Sequence, residues 1–231
     1  YVFNSDILGS DAAGLSVKFS KGTIDVAGHT IKVGNTWNGK GQFNLDTAGS
    51  PKLITSSASN GGVWVSGMGT GAATFDGRLG GHVTLDYNSG FSGNAEKDTA
   101  CWFLQLKNLA GEASDTDGDI IATCGHISFL DGLNLTKVGN LICKKNGRIT
   151  IKSGAKVNRK ANVQIFETGT LDVVSGVNVD VGYFYRDGVQ LQPGVYSKTG
   201  DPTKGIEALS CLVGEGTVTV TKPSGLTVIL K

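Results

Sequence analysis

Three stretches of the chain decide the fold: Gly125-His-Ile-Ser-Phe-Leu-Asp-Gly132, Gly147-Arg-Ile-Thr-Ile-Lys-Ser-Gly154 and Gly169-Thr-Leu-Asp-Val-Val-Ser-Gly176. Each stretch begins 22 residues after the one before it. A fixed period of about 20 residues is typical of chains that stack one structural unit on the next. The repeat therefore predicts a stack of similar coils.

Apolar and polar residues alternate within this repeat. The apolar residues form three columns, which are Ile127, Ile149 and Leu171; Phe129, Ile151 and Val173; and Leu135, Val157 and Val179. A polar column of Ser128, Thr150 and Asp172 falls between the first two. Because side chains alternate between the faces of a strand, the pattern predicts one half-buried parallel strand per coil, with the polar column facing outward.

The repeat extends toward the N-terminus with less regular spacing. Leu104 and Leu106 precede Ile127 and Phe129 by 23 residues. Earlier pairs continue the series: Val83 with Leu85, Val63 with Val65, Phe43 with Leu45, and Ile24 with Val26. Coils that differ in turn length can keep their strands stacked. At about 4.8 Å per coil, about eight coils predict a rod of about 40 Å.

Both ends of the chain break the pattern, which predicts caps. The step Ala27-Gly28 predicts a hairpin between the apolar stretches on either side of it. Asp187-Gly188, between Tyr183-Phe-Tyr185 and Val189-Gln-Leu191, is a stronger hairpin signal. Two further segments, Thr217 to Val220 and Leu226 to Leu230, are predicted cap strands because the last coil of a stack needs its edge covered.

Three features carry a family resemblance: the segment Gly-Thr-Ile-Asp-Val-Ala-Gly-His-Thr-Ile-Lys-Val (22–33), the repeated coils, and the closing segments Asp-Gly-Val-Gln-Leu-Gln-Pro-Gly-Val-Tyr (187–196) and Gly-Glu-Gly-Thr-Val-Thr-Val (214–220). In these features the chain resembles exported bacterial β-helix repeat proteins of the autotransporter-passenger type. The resemblance implies a right-handed parallel β-helix outside the cell, serving as an adhesin, a surface or matrix component, or a stalk. It carries no catalytic motif and transfers no active-site residue.

The expected fold is therefore all-β: a right-handed parallel β-helix, or solenoid, of about eight coils with N- and C-terminal capping hairpins. We expect one domain, in which residues 1–34 form the N-terminal cap and first coil, 35–181 the stacked coils and 182–231 the C-terminal cap.

Composition excludes two classes of partner. Lys and Arg number 21 against 20 Asp and Glu, whereas a nucleic-acid-binding protein normally has a basic excess. The sequence has no run of about 18 apolar residues, so it predicts no membrane span. Since the chain begins at Tyr1 and its only methionine is Met68, we expect a processed mature form or a fragment, located extracellularly or at the cell surface.

The four cysteines have different predicted roles. Cys143 lies 22 residues from both Ile121 and Ile165, which predicts a buried thiol in an inward column. The other three are Cys101, Cys124 and Cys211. The first two of these are 23 residues apart and should stack on neighbouring coils, where both a disulfide and two free thiols remain open. Cys211 lies in the cap and has no predicted partner. No Cys or His spacing indicates zinc.

A turn rich in carboxylates is a candidate calcium site. Asp115, Asp117 and Asp119 flank a glycine, and Glu112 lies just before them. Oxygen ligands on a tight turn are what Ca²⁺ requires. The spacing does not match an EF-hand, so calcium binding and an ordinary solvated turn both remain open. The sequence indicates no other cofactor.

A lateral polar patch is the candidate catalytic surface. His126 and Arg148 occupy equivalent places on successive coils, beside Asp172 and Lys152. A polysaccharide lyase or glycosidase would need a base and a cation on such a face. His82 opens an earlier strand in the same way. A solvated solenoid face would have the same residues, so catalysis is one of two hypotheses.

Trp37 and Trp64 are candidate binding residues, because neither has a predicted core position. Packing of either ring under a loop is the alternative. Together these features favour a non-enzymatic extracellular structural or adhesive protein that associates with other copies of itself. The alternative is a carbohydrate-active or carbohydrate-binding β-helix that uses an outward polar face. The expected partners are other copies of the chain, a polysaccharide or a host or cell-surface protein, and no nucleic acid.

Overall fold

A computed structural model gives the architecture of the chain. It describes residues 2, 4, 7–8, 16–25, 27, 29–32, 42–54, 62–65, 73–76, 78–79, 83–88, 103–107 and 116–222. These residues form an all-β protein built of stacked parallel sheets, an arrangement consistent with a β-solenoid. Among them, no helix is long and apolar enough to cross a membrane.

The described residues form 22 strands and one 3-10 helix, Pro202–Lys204. The strands are Ile7–Leu8 (β1), Ser16–Asp25 (β2), Thr30–Lys32 (β3), Gln42–Ile54 (β4), Gly62–Val65 (β5), Ala73–Asp76 (β6), Arg78–Leu79 (β7), Thr84–Asn88 (β8), Phe103–Lys107 (β9), Ile120–Phe129 (β10), Asn134–Leu135 (β11), Asn140–Cys143 (β12), Gly147–Ile151 (β13), Lys156–Val157 (β14), Asn162–Ile165 (β15), Thr170–Val173 (β16), Asn178–Val181 (β17), Tyr183–Arg186 (β18), Val189–Gln190 (β19), Gly194–Ser197 (β20), Ile206–Ala208 (β21) and Thr217–Val220 (β22).

One sheet runs along the whole stack. Its strand order is β1-β3-β5-β8-β10-β12-β15-β18-β19, and every pair is parallel except the last. The long strand β10 also belongs to a second parallel ladder, in which β6, β9, β10, β13 and β16 follow one another. Two smaller parallel groups are β2-β4-β7 and β11-β14, and β17 pairs with β22 in a mixed sheet with β20 and β21.

The 22-residue register is confirmed. Ile127 faces Ile149, and Ile149 faces Leu171, on parallel neighbours. Leu104 faces Ile127, as the 23-residue offset predicts. Leu135 faces Val157, but the third column stops there, because the strand of Val179 pairs with β22 and not with β14.

Glycines at the same interval turn the chain between the strands. Gly132, Gly154 and Gly176 have φ angles of 82°, 79° and 76°. This left-handed conformation carries no steric cost for glycine and is strained for most other residues. The closing glycine of each repeat therefore makes the turns alike, which keeps successive strands in register.

The predicted register toward the N-terminus is wrong at several places. Val63 faces Leu85 and not Val83. Leu85 in turn faces Ile120, so β8 belongs to the ladder along the whole stack and does not precede Leu104. The earlier strands form another sheet, whose register pairs are Val17 with Phe43, Phe19 with Leu45, and Ile24 with Leu53. Hydrogen-bonded pairing decides which residues face each other, and unequal coil lengths hide that pairing from the sequence.

The two predicted hairpins have different outcomes. The hairpin at Ala27-Gly28 is wrong, because β2 pairs with β4 while β3 pairs with β1 and β5, all in parallel. The hairpin at Asp187-Gly188 is confirmed by the antiparallel pair β18 and β19. Its two turn residues have φ angles of 49° and 79°, as a two-residue hairpin turn of type I′ requires. The predicted strand Leu226 to Leu230 lies outside the described residues.

The apolar columns form the core between the ladders. Ile127, Phe129, Ile149, Ile151 and Leu171 are all fully buried. The burial of these side chains is the main favourable contribution to folding, at about 25 cal/mol per Å² of apolar surface removed from water. An apolar side chain of matching size is thus required at each of these positions.

Cys143 lies in this core, as predicted. Its side chain is fully buried, and the residue faces Ile165 on the next strand, as the spacing predicts. On the preceding strand it faces Ala122 and not the predicted Ile121. The residue and Cys211 are both free thiols. Burial raises the pKa of Cys143 above its usual range and raises that of Cys211 to about 11. The predicted stacking of Cys101 on Cys124 involves residue 101, which lies outside the described residues.

These thiols predict a loss of stability in alkaline solution. In the unfolded chain a thiol deprotonates near its ordinary pKa of 9.0, whereas folded Cys211 keeps its proton to about 11. Between these values the unfolded state binds fewer protons, so the free energy of unfolding falls as pH rises, by about 1.4 kcal/mol per pH unit for each thiol. Urea unfolding between pH 8 and 11 measures this slope. The variant C143A/C211A should have a shallower slope, and equal slopes would contradict the prediction.

Candidate functional site

The lateral polar column is positioned by three neighbouring strands of one ladder. Ser128 on β10 faces Thr150 on β13, which faces Asp172 on β16. The prediction that these side chains lie opposite the apolar columns follows from the register and is confirmed. The prediction that they face solvent is wrong, because their exposed fractions are only 2%, 3% and 8%.

A hydrogen-bonded network joins the column to His126 and Arg148. Thr150 Oγ1 donates to Asp172 Oδ2 over 3.0 Å, and Arg148 Nη2 donates to the same oxygen. His126 Nε2 lies 2.6 Å from Thr150 Oγ1 and 3.3 Å from Ser128 Oγ. Thr150 Oγ1 is thus the atom that links the imidazole to the carboxylate.

The ion pair at the centre of the network is largely buried. The side chains of Arg148 and Asp172 are 15% and 11% exposed. Opposite charges that are removed from water depend on each other, because either one alone would lose its hydration without compensation. Arg148 Nε is buried and has no hydrogen-bond partner among the described residues. Among the described residues, Asp172 is the carboxylate that holds the guanidinium.

Backbone from the C-terminal part of the chain packs beside this network. Leu171 N–H donates to Cys211 C=O over 2.9 Å, and Val213 N–H donates to Leu171 C=O over 3.1 Å. Gly214 follows directly, and a Cβ there would lie 2.4 Å from a carboxylate oxygen of Asp172. Only glycine permits this close approach. The segment contributes to the burial of Asp172.

This arrangement has little capacity for acid or base catalysis. His126 Nε2 and Asp172 Oδ2, the groups that would move a proton, are committed to Thr150 and Arg148. A general base must be within reach of a substrate proton. Lys152 is exposed, and within the described part of the chain no hydrogen bond or ion pair joins its side chain to the network. The cluster is therefore suited to joining three strands. His82, the other histidine predicted to open a strand, lies outside the described residues.

The structure describes only part of the turn that is the candidate calcium site. Asp115 lies outside the described residues; Asp117 is exposed, and Asp119 Oδ1 accepts a hydrogen bond from Asn140 Nδ2. Within the described part of the chain, no three His, Cys, Asp or Glu side chains are grouped to hold a metal ion. Buried Thr116 ties the turn to the start of β8, because its hydroxyl donates to the C=O of Val83, the residue before that strand, over 2.8 Å. Calcium binding stays a prediction.

The candidate aromatic residues are placed only in part. Trp37 lies outside the described residues. Trp64 lies on β5, where its register partner is Asp86 on β8. Burial raises the pKa of the Asp86 carboxyl, although a hydrogen bond from Thr123 lowers it. A binding role for either tryptophan stays a prediction.

Sequence reasoning missed a lateral groove of about 530 Å³. The groove lies between β14 and β17, where the ladder of β11 and β14 ends. Its lining consists of Thr136, Ala155, Lys156, Val157, Asn158, Arg159, Lys160, Asn178, Val179 and Asp180. The basic run Lys156-Val-Asn-Arg-Lys160 was the signal available in the sequence.

The fold and these sites define an all-β protein of stacked parallel sheets with a hydrogen-bonded lateral network and a basic groove. Comparison with protein-family models, with curated proteins and with solved structures finds no match to this chain. Its function must therefore be argued from its own residues.

Proposed function

We propose that the chain is a right-handed parallel β-helix of about eight coils with a cap at each end. We further propose that it is a non-enzymatic extracellular structural or adhesive module that associates with other copies of itself. The observation that carries the proposal is the parallel ladder from β1 to β18, in which each strand is hydrogen-bonded to the next. Such stacking gives a stiff body, because every unit is held by its neighbours. Stiffness suits a spacer or a surface component.

The lateral network supports a structural role over the alternative of a lyase or glycosidase. An enzyme of that kind needs a proton acceptor and a cation that are free to meet the substrate. Here His126, Thr150, Asp172 and Arg148 bond to one another across three strands. The resemblance to exported β-helix proteins supports an extracellular location.

The terminal hairpin supports self-association. Strand β19 ends the long ladder, and within the described residues it pairs only with β18. Val189 on this strand is 67% exposed. A strand with an unpaired edge and an exposed apolar side chain is a ready surface for pairing with another chain. We place the contact between copies at this end of the stack.

Sedimentation velocity over a range of concentrations tests this proposal. We expect the native chain to form larger species as concentration rises, and Val189→Asp to weaken that association by at least about tenfold, since a charge opposes apolar contact. Thr199→Asp adds the same charge at another exposed cap residue and should change association little. A native chain that stays monomeric at every concentration would contradict self-association.

A further inference from the structure

We propose that the groove between β14 and β17 binds an acidic polysaccharide, meaning a sugar chain that carries carboxylate or sulfate groups. This inference rests on the proposed extracellular adhesive role and names its ligand class. The groove has a volume of about 530 Å³, which is enough for several sugar rings along a cleft.

The groove exists because a ladder ends there. Strand β14 pairs with β11 on one side, whereas β17, the next strand at that corner, pairs with β22. The two strands therefore do not close on each other. Asn178 holds β17 toward β22, since its Oδ1 accepts from Thr217 over 2.8 Å and from Thr219 over 3.0 Å. These bonds fix one wall of the groove before any ligand binds.

The other wall is fixed in a similar way. Asn158 Nδ2 donates to Val138 C=O over 2.9 Å, and Asn158 Oδ1 accepts from Lys160 N–H over 3.0 Å. The amide thus holds the corner that carries the lysine. Preformed walls reduce the conformational entropy that a ligand must overcome on binding.

The charges of the groove favour an anion. Lys156, Arg159 and Lys160 are exposed along its lining, and Asp180 is the only carboxylate among the described lining residues. Arg159 Nε lies 3.4 Å from Asp180 Oδ2, so that carboxylate is already offset. Neither lysine has an ion-pair partner among the described residues. Three cations and one carboxylate give the lining of the groove a net positive charge. A positive potential inside a cleft raises the local concentration of anions.

Strand length favours a sugar chain over an acidic peptide. A peptide that adds to a sheet edge depends on a row of main-chain hydrogen bonds. Strand β14 has only two residues, Lys156 and Val157. The lining of the groove instead combines the apolar residues Ala155, Val157 and Val179 with the cationic side chains. A sugar ring has the corresponding apolar face and charged substituents.

Binding of the 231-residue chain to polygalacturonate, measured by isothermal titration calorimetry at low salt, tests the inference. We expect K156Q/R159Q/K160Q to bind at least about tenfold more weakly, and added salt of about 0.3 M to weaken native binding, because the contacts are ionic. The control K144Q/K145Q/K198Q removes three exposed cations outside the groove and should bind like the native chain. Thermal unfolding of both variants confirms that they fold.

The other arms of the experiment decide the ligand class. Neutral dextran and galacturonate monomer should bind much more weakly than polygalacturonate. Equal binding of dextran, equal loss in both triple variants, or no binding of polygalacturonate would overturn the proposal. Binding of poly-L-glutamate that matches polygalacturonate and is lost in K156Q/R159Q/K160Q would overturn it in favour of an acidic peptide. Sedimentation is measured separately from binding. A chain that binds polygalacturonate but stays monomeric would contradict self-association alone. A chain that self-associates but does not bind would contradict only the proposal that the groove binds an acidic polysaccharide.

Discussion

Replacing Ile149 by Asp is expected to abolish cooperative folding. Ile149 is fully buried and lies between Ile127 and Leu171 on parallel neighbours. The substitution would put a carboxylate among apolar side chains, where it has no partner. The expected loss is about 5 kcal/mol or more, which is comparable with the whole stability of an ordinary domain. Circular dichroism during thermal unfolding would then record no cooperative transition.

Val189→Asp is the matched control, because it replaces a β-branched residue by Asp where the side chain is 67% exposed. Arg186 faces this position across the hairpin. At a protein concentration low enough for the native chain to be monomeric, we expect the free energy of unfolding to stay within about 0.5 kcal/mol of the native value. Thr150→Asp is not a suitable control, although Thr150 lies on the polar face, because its side chain is buried beside Asp172. Equal loss in the Ile149 and Val189 variants would show that position 149 is not in the core.

Asp172→Ala is expected to be the most costly substitution in the lateral network. It would leave the Arg148 guanidinium buried without its carboxylate and remove the acceptor of the Thr150 hydroxyl. Breaking a buried ion pair from one side costs about 3–5 kcal/mol. Urea unfolding at neutral pH measures the loss.

Asp180→Ala provides the control, since its partner Arg159 is 84% exposed. An exposed pair contributes about 1 kcal/mol or less. The double variant R148M/D172L removes both buried charges and should recover much of the stability lost by Asp172→Ala. If the single Asp172 and Asp180 variants lost the same amount, Arg148 and Asp172 would not form a buried pair.

The strand pairing in the C-terminal half of the fold can be predicted from the sequence because the coils there have equal length. From Ile127 to Leu171 the strands recur every 22 residues, so spacing and pairing coincide. The same interval relates Val63 to Leu85, whereas the series predicted from the sequence paired Val63 with Val83. Leu85 and Ile120 are 35 residues apart, and no period predicts that pairing.

The sites were harder to predict because they depend on contacts far along the chain. The alternation of the repeat predicts the polar column correctly. Its burial depends in part on the segment around Gly214, more than 40 residues beyond Asp172. The groove arises because β17 pairs with β22 and not with β14. Such a change of partner leaves no signal in the spacing of apolar residues.

A crystal structure of the chain, compared at residues 127, 149 and 171, is the decisive test of the parallel stacking. We expect Ile127, Ile149 and Leu171 to lie side by side on parallel strands, with successive Cα atoms about 4.8 Å apart and with Thr150 on the opposite face. Antiparallel neighbours, or a shift by one residue that turns Thr150 into the apolar core, would contradict it.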